Sequence, residues 1–352
     1  MYALPKSIDN KSVAILPVSR IVFASPFRVG HFYFFPPGSL DIISLNPAAP
    51  ANLEDFRVDG NVIVLDKVGI RWGASSLTGF DIDTLENNPL IVFEFDCDWS
   101  KFKEMSHDDD VDLIKRLSAE AERALDVIRF IFCQLDLPDT LPGTPGSWDG
   151  SGQFLGAMVR NPTNDRSYLL SGAGVECNLI VKGLGLDVDT PLNSFWLDRE
   201  GSGLSGIIIH ALSLLSDAMY ASTETSRFAR VMTLLEFLGS PDEYKTWKKL
   251  RGEIICHIAR DKNDYLRLVE RFKELTSKED DNDVQTGYRT LIVHHGKFLH
   301  ELLSDQKGRR RLFRELHGYA TKVLQDMISH KEMSWDSFLD YRKQLKRQLG
   351  AL

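Results

Sequence analysis

The apolar residues of this chain change period near Gly203, and that change restricts the available folds more than any single motif does. From Ser12 to about Cys97 they come in short runs: Val13 to Val18, Ile21 to Ala24, Val29 to Phe35, Val62 to Leu65 and Leu90 to Phe95. These runs are rich in Val, Ile and Phe and are bounded by Pro, Gly, Asn and Asp, which is the pattern of strands. Asp59-Gly60 suits a hairpin turn between Val58 and Val62. Residues 106–134 then read as one long helix, with Val111, Ile114, Leu117, Ala121, Ala124, Ile128 and Ile131 on one face. Asp108, Asp109 and Asp110 stand at its start, where the helix dipole favours carboxylates. Residues 135–152 are crowded with Pro and Gly and read as an exposed loop or lid, and Gln153 to Gly183 as strands again.

After Gly203 every apolar pattern is helical. Phe228, Val231, Met232, Leu235 and Leu238 share a face, as do Trp247, Leu250, Ile254 and Ile258, and then Tyr265, Leu268, Val269, Phe272 and Leu275. Leu312, Leu316, Tyr319, Val323 and Met327, followed by Trp335, Phe338, Leu339, Leu345 and Leu349, continue the series. The expected architecture is α+β: a β-rich N-terminal domain over 1–200 and an all-α bundle over 203–352. Charge divides along the same line. From Ala221 onward there are 25 Lys and Arg against 20 Asp and Glu, leaving 17 against 30 before it. An anionic ligand therefore suits the helical part better.

No apolar run approaches the roughly 18 residues that cross a bilayer, since Gly206 to Leu215 is broken by His210 and Ser213. The first ten residues do not read as a secretory signal, so a cytoplasmic location is expected. Cys97, Cys133, Cys177 and Cys256 are too widely spaced to suggest a zinc knuckle or a disulfide framework.

The strongest local feature is Tyr288-Arg-Thr-Leu-Ile-Val-His-His-Gly296. Arginine carries a permanent charge on a planar fork that matches phosphate oxygens, and histidine exchanges protons near neutral pH. Arg289 and His294 thus suit a phosphodiester without a metal. On a straight helix, positions five apart point about 140° from each other, so the two would not converge within one copy; a two-fold contact would supply the partner.

This string resembles the R-x4-6-H motif of HEPN domains, and Y-R-x-x-I-V-H-H-G is especially similar to the ApeA-like HEPN group. Leu235-Glu236, before an apolar turn, resembles that group's first conserved helix. The resemblance covers roughly Gly203 to Leu349. It implies a helical bundle that dimerises so that two motifs face one cleft, and a metal-independent endoribonuclease of toxin or antiviral-defence type, with no cofactor. It casts Arg289 as the phosphate-binding and transition-state residue and His294 as general base or acid. Tyr288, Thr290, His295, Lys297 and Glu236 are the supporting residues. Thr290 departs from the Asn, Asp or His frequent after the arginine in active members. The alternatives are a silent RNA-binding or assembly module and a small-ligand sensor.

His295 falls on the line Tyr288, Leu291, His295, Phe298 and Leu302, and so reads as packed or helix-orienting. Arg309, Arg310, Arg311 and Arg314 are either a solvated helix start or a contact to an RNA backbone. Gly201-x-Gly203-x-x-Gly206 lacks the strand-helix-strand setting of a dinucleotide fingerprint and reads as a helix entry. Glu94, Asp96 and Asp98 alternate as if on one strand face, which is either a cation site or a solvated edge. His294, His295, His300 and Glu301 are too little to define a zinc site. The N-terminal domain is expected to sense a trigger or to restrain the helical part.

Overall fold

A computed structural model describes residues 1–45, 47, 56–59, 62–65, 71, 74–75, 77–148, 154–172, 185–188, 195–198, 201, 203–279 and 285–351. The protein is α+β. It divides into two compact units, one of Met1–Ile128 with Asp139–Trp196, the other of Arg129–Pro138 with Leu197–Leu352.

The first unit is built on the short Val, Ile and Phe runs. They form β1 (Val13–Pro17), β2 (Ile21–Val22), β3 (Phe27–Val29), β4 (Phe32–Phe35), β5 (Phe56–Asp59), β6 (Val62–Leu65) and β7 (Leu90–Glu94), joined by β8 (Leu155–Asn161), β9 (Arg166–Gly172) and β10 (Leu186–Asp187). Six of them make an antiparallel sheet in the order β3-β4-β7-β1-β8-β9. All five residues of β1 are buried, as expected of a central strand covered on both faces, and it pairs Ile15 with Val92 and with Met158. Val13, Ile15, Val92 and Met158 join Phe35, Leu40, Leu85 and Trp148 in one core cluster. The β5 and β6 strands pair from Phe56↔Leu65 to Asp59↔Val62, while Gly60 of the expected turn lies outside the described residues. So do Cys177 and the strand expected over 173–183.

Helices α1 (Ile82–Asn87) and α2 (Trp99–Phe102) precede α3 (His107–Phe132), whose residues Leu113, Ile114, Leu117, Ala121, Ala124, Leu125 and Ile128 are buried. The start of α3 carries a sealed ion pair. Arg71 donates Nε and Nη2 to the two carboxylate oxygens of Asp110 at 2.8 Å each, and Nη2 also reaches the Phe102 carbonyl.

One expectation is overturned in the segment after α3. The Pro- and Gly-rich stretch is not an exposed lid over its described part, because Leu135, Leu141, Ser147 and Trp148 are buried. Its backbone is satisfied internally: Gly143 and Gly146 donate to the carbonyls of Ser19 and Pro17, and Ser147 Oγ lies 3.0 Å from Ser19 Oγ. A loop whose polar groups find such partners can be buried like any strand. Residues 149–152 lie outside the described residues.

The second unit contains α4 (Ser205–Met219), α5 (Glu224–Gly239), α6 (Trp247–Ile255), α7 (Lys262–Thr276), α8 (Tyr288–Val293), α9 (Leu299–Leu302), α10 (Gln306–Ser329) and α11 (Trp335–Gln348). Side-chain oxygens cap several starts: Thr223 for α5, Asp261 for α7, Asp305 for α10 and Ser334 for α11. Helix α5 is the hub, packed by α4, α6, α8, α9 and α10, and Phe228, Val231, Met232, Leu234, Leu235 and Leu238 are buried along it. Gly203 serves the entry to α4. Its φ is +73°, and a Cβ there would meet the carbonyl oxygens of Lys331 and Met333 at 2.5 Å. Leu204 N–H donates to that Lys331 oxygen, so the glycines belong to a tight helix entry. No helix among the described residues is long and apolar enough to cross a membrane.

Candidate functional site

The motif occupies a short helix and the turn that ends it. Helix α8 is anchored at its N-terminus by the end of α7: Thr286 and Gly287 N–H donate to Lys278 O, and Thr290 Oγ1 donates to Thr276 O at 2.8 Å. The apolar line Tyr288, Leu291, His295, Phe298 and Leu302 does not continue as one helix. His294 is the C-cap, donating N–H to Thr290 O, and Lys297 N–H closes back on Leu291 O. Gly296, at φ +66°, makes the reversal that a side chain would oppose. The chain re-enters helix at α9, where the Glu301 carboxylate accepts from Phe298 N–H and Thr225 Oγ1 accepts from Leu299 N–H.

Arg289 is placed by two neighbouring helices. Its Nη2 lies 3.3 Å from Glu236 Oε2 on α5, and its guanidinium lies 6.0 Å from the Trp247 ring at the start of α6. The Arg289 side chain keeps 25% of its surface and that of Glu236 keeps 24%, so the pair is shielded on one side and open on the other. Tyr288 meets Phe228 edge to face at 6.4 Å, which fixes the first turn on α5. Glu236 is singled out by the family resemblance alone; Trp247 is not singled out by the sequence. The indole begins an apolar face and reads as core, and it is indeed 8% exposed, but the guanidinium lies over its ring.

His294 is exposed at the end of α8, as are His295, Lys297 and His300. His295 therefore does not pack into the bundle: the turn at Gly296 removes it from the apolar line that suggested burial. Val293 and Phe298 are 50% and 56% exposed, and Phe298 stacks on His300 at 5.5 Å. Among the described residues no hydrogen bond or ion pair joins Arg289 to His294 within one copy.

The arginine cluster divides in the structure. Arg309 is a local tie, with Nε 2.6 Å from Glu224 Oε2 and Nη1 on the carbonyls of Leu303 and Ser304. Arg314 donates Nη2 at 2.8 Å to Asp136, whose side chain is fully buried, yet Arg314 itself remains 68% exposed. Arg310 is exposed, and Arg311 lies 3.7 Å from Asp305 with 77% of its side chain exposed. Arg309 and Arg289 hold Glu224 and Glu236 on the same helix, twelve residues or about 18 Å apart.

Comparison with protein-family models, with curated proteins and with solved structures finds no match to this chain.

The remaining candidates resolve into structural roles. Strand β7 ends at Glu94, so Glu94, Asp96 and Asp98 do not share a strand face. Glu94 pairs with Lys11, and Asp98 caps α2 through Ser100, whose hydrogen bond is the main reason its carboxyl sits below the ordinary range. No group of three His, Cys, Asp or Glu among the described residues is placed to hold a metal. Cys133 and Cys256 are buried, and burial pushes both thiols up to about 12.

A second polar assembly lies in the bundle core. Arg342 is wholly buried on α11, donating Nε to His257 Nε2 at 2.9 Å, Nη2 to Leu238 O at 2.8 Å and Nη1 to Gly239 O at 3.1 Å. His257 Nδ1 lies 2.6 Å from Asp326 Oδ2, and Tyr341 OH donates to the same carboxylate. Burial holds the His257 pKa below its ordinary value and the Arg342 charge adds to this, against the opposing hydrogen bond from Asp326. Burial opposes ionisation of Asp326, but its contacts with His257, Tyr341 and His330 outweigh that and keep its pKa low. The stable form is a neutral imidazole donating to an ionised carboxylate.

Proposed function

We propose that the helical unit is a HEPN-type, metal-independent endoribonuclease, with Arg289 and His294 as its catalytic residues. The observation that carries this reading is the setting of Arg289, oriented by Glu236 and Trp247 yet open on one side, five residues before an exposed His294 that caps the same short helix. The ribose 2′-oxygen attacks the adjacent phosphorus and the bond from phosphorus to the 5′-oxygen breaks. His294 takes the 2′ proton or supplies the one that the leaving oxygen needs. Arg289 offsets charge on the non-bridging oxygens. Tyr288 and Thr290 fix α8 on its neighbours, and Lys297 and the exposed arginines Arg310, Arg311 and Arg314 supply charge for a polynucleotide.

A homodimer brings the Arg289 of one copy to the His294 of the other. The exposed Val293 and Phe298 beside the motif support such a contact. Cleavage in chelator should leave 2′,3′-cyclic phosphate and 5′-hydroxyl ends, whereas a magnesium requirement would indicate metal chemistry instead. Mixing Arg289→Ala with His294→Ala copies should restore part of the lost activity, because one of the two composite sites in a mixed dimer is intact. No recovery would exclude a shared site.

The second reading is a silent module that binds RNA or mediates assembly. It is favoured by Thr290, whose hydroxyl is committed to the Thr276 carbonyl and not offered to a substrate. RNA binding without cleavage by the wild type would select it. A trigger or regulator bound by the first unit, acting on the helical unit, completes the proposal. Removing the residues before Gly203, which takes Arg129–Pro138 of the second unit with them, without any change in activity or substrate choice would refute that part.

A further inference from the structure

The buried assembly around His257 touches the same helix end that carries Glu236. The carbonyls of Leu238 and Gly239 belong to the last turn of α5, where no intrahelical donor remains. Arg342 fills that vacancy with Nη1 and Nη2, and its third contact, from Nε, needs an acceptor on His257. Only the neutral imidazole with its proton on Nδ1 offers that lone pair. A second proton would place an N–H on Nε2 against the guanidinium N–H, and two cations side by side in a cavity closed to water.

From this geometry we propose that His257 and Arg342 form an acid-released latch on the C-terminal turn of α5, which holds Glu236, and through it Arg289, in place. The inference goes beyond the nuclease reading and does not depend on it. Glu236 accepts the Ser240 N–H through its backbone and Arg289 through its side chain, so the turn that Arg342 caps is the turn that positions the Arg289 partner. The opening is confined to that turn, because Trp335 Nε1 holds Asp242 at 3.0 Å just beyond it.

The groups facing His257 come from three elements. Glu253 and Cys256 lie on α6 and at its end, Asp326 and His330 on α10, and Tyr341, Arg342 and Lys346 on α11. Glu253 is paired with Lys346 at 2.6 Å, and the Cys256 and Tyr341 protons are held to about 12 by burial first. Asp326 stays ionised below the ordinary carboxylate range. His330 donates Nδ1 to the Asp326 backbone carbonyl and also approaches its carboxylate, so a charge on it is compensated there. His257 is the group whose protonation finds a cation opposite it.

The test is amide hydrogen exchange on the full chain at about pH 7.5 and about pH 5, corrected for intrinsic rates. Amides of residues 236–240 should lose roughly tenfold in protection at the lower pH, while those of Leu268 to Leu275 in α7, which carry no histidine, hold theirs. His257→Gln, which keeps an acceptor near the Nε2 position but does not titrate, should retain protection at both. Equal protection of the wild type at both pH values, or an equal loss in His257→Gln, would overturn the latch. If His257→Gln does not fold, the wild-type ring nitrogens are followed by NMR instead. The His257 protonation midpoint must then coincide with the opening midpoint, and opening that tracks His317 or His330 overturns the proposal. RNA cleavage is not read in either experiment, so failure here leaves the nuclease reading to its own test.

Discussion

Arg342 and Arg289 both reach the last turns of α5, at Leu238 and Gly239 and at Glu236, and they do so in opposite ways. Arg342 has no exposed surface, and its guanidinium is spoken for by two carbonyls and an imidazole, with Phe338 and Trp335 rings at 4.9 and 5.1 Å. Arg289 makes one ion pair at 3.3 Å and keeps a quarter of its surface. A cation whose three nitrogens each have a buried partner maintains the fold, and taking away its partners costs a buried charge. A cation held from one side has donors left for a ligand. The two histidines divide the same way, His257 sealed between Asp326 and Arg342 and His294 exposed at a helix end.

The largest effect should come from Arg342→Ala. It strips both α5 carbonyls and His257 of their donor, and urea unfolding should show a loss of about 3–5 kcal/mol. A loss below about 1 kcal/mol would erase the contrast between the two regions. Acid should act next, in the same place. His257 and His317 have folded pKa values lowered chiefly by burial, so the unfolded chain binds protons that the folded chain refuses. Their stabilising contribution is complete above the unfolded value of about 6.5 and is lost as pH falls from there through the folded values. Denaturation midpoints measured at falling pH should decline through this window, and a midpoint that rises would contradict the neutral assignment of His257. Tyr341→Phe should cost about 1 kcal/mol, the loss of one hydrogen bond to Asp326, by the same urea assay. The smallest effect belongs to Arg289→Ala. An ion pair this open contributes no more than about 1 kcal/mol, so unfolding should barely register it while phosphate engagement falls.

Much of the fold was legible because burial sets periodicity. The runs that became β1, β4 and β7 are continuous because both faces of the central strands are covered, and the stripe of α3 is the face that packs. In the loop after α3, Pro and Gly signal irregular backbone, which is a different property from exposure. The carbonyls of Ser19 and Pro17 that bury it lie more than a hundred residues away in sequence.

At the candidate site, Arg289 is legible as chemistry and Glu236 only through the family resemblance, and the two meet in space. The end of α8 is not legible, since the apolar spacing runs straight through Gly296, whose left-handed conformation breaks the helix. Arg342 carries a signal in the sequence: a charge four residues after Phe338 and three before Leu345, in the middle of an apolar stripe. A cation in such a position is buried with partners or the stripe is not a core face.

The account turns on His294 being chemical where His257 is structural. Its most direct test is the RNA cleavage rate of His294→Ala in chelator, measured beside its thermal midpoint. The predicted result is a loss of at least about 100-fold, the usual worth of a placed proton-transfer group, with the midpoint unchanged. Cleavage at the wild-type rate by a folded His294→Ala protein would contradict it.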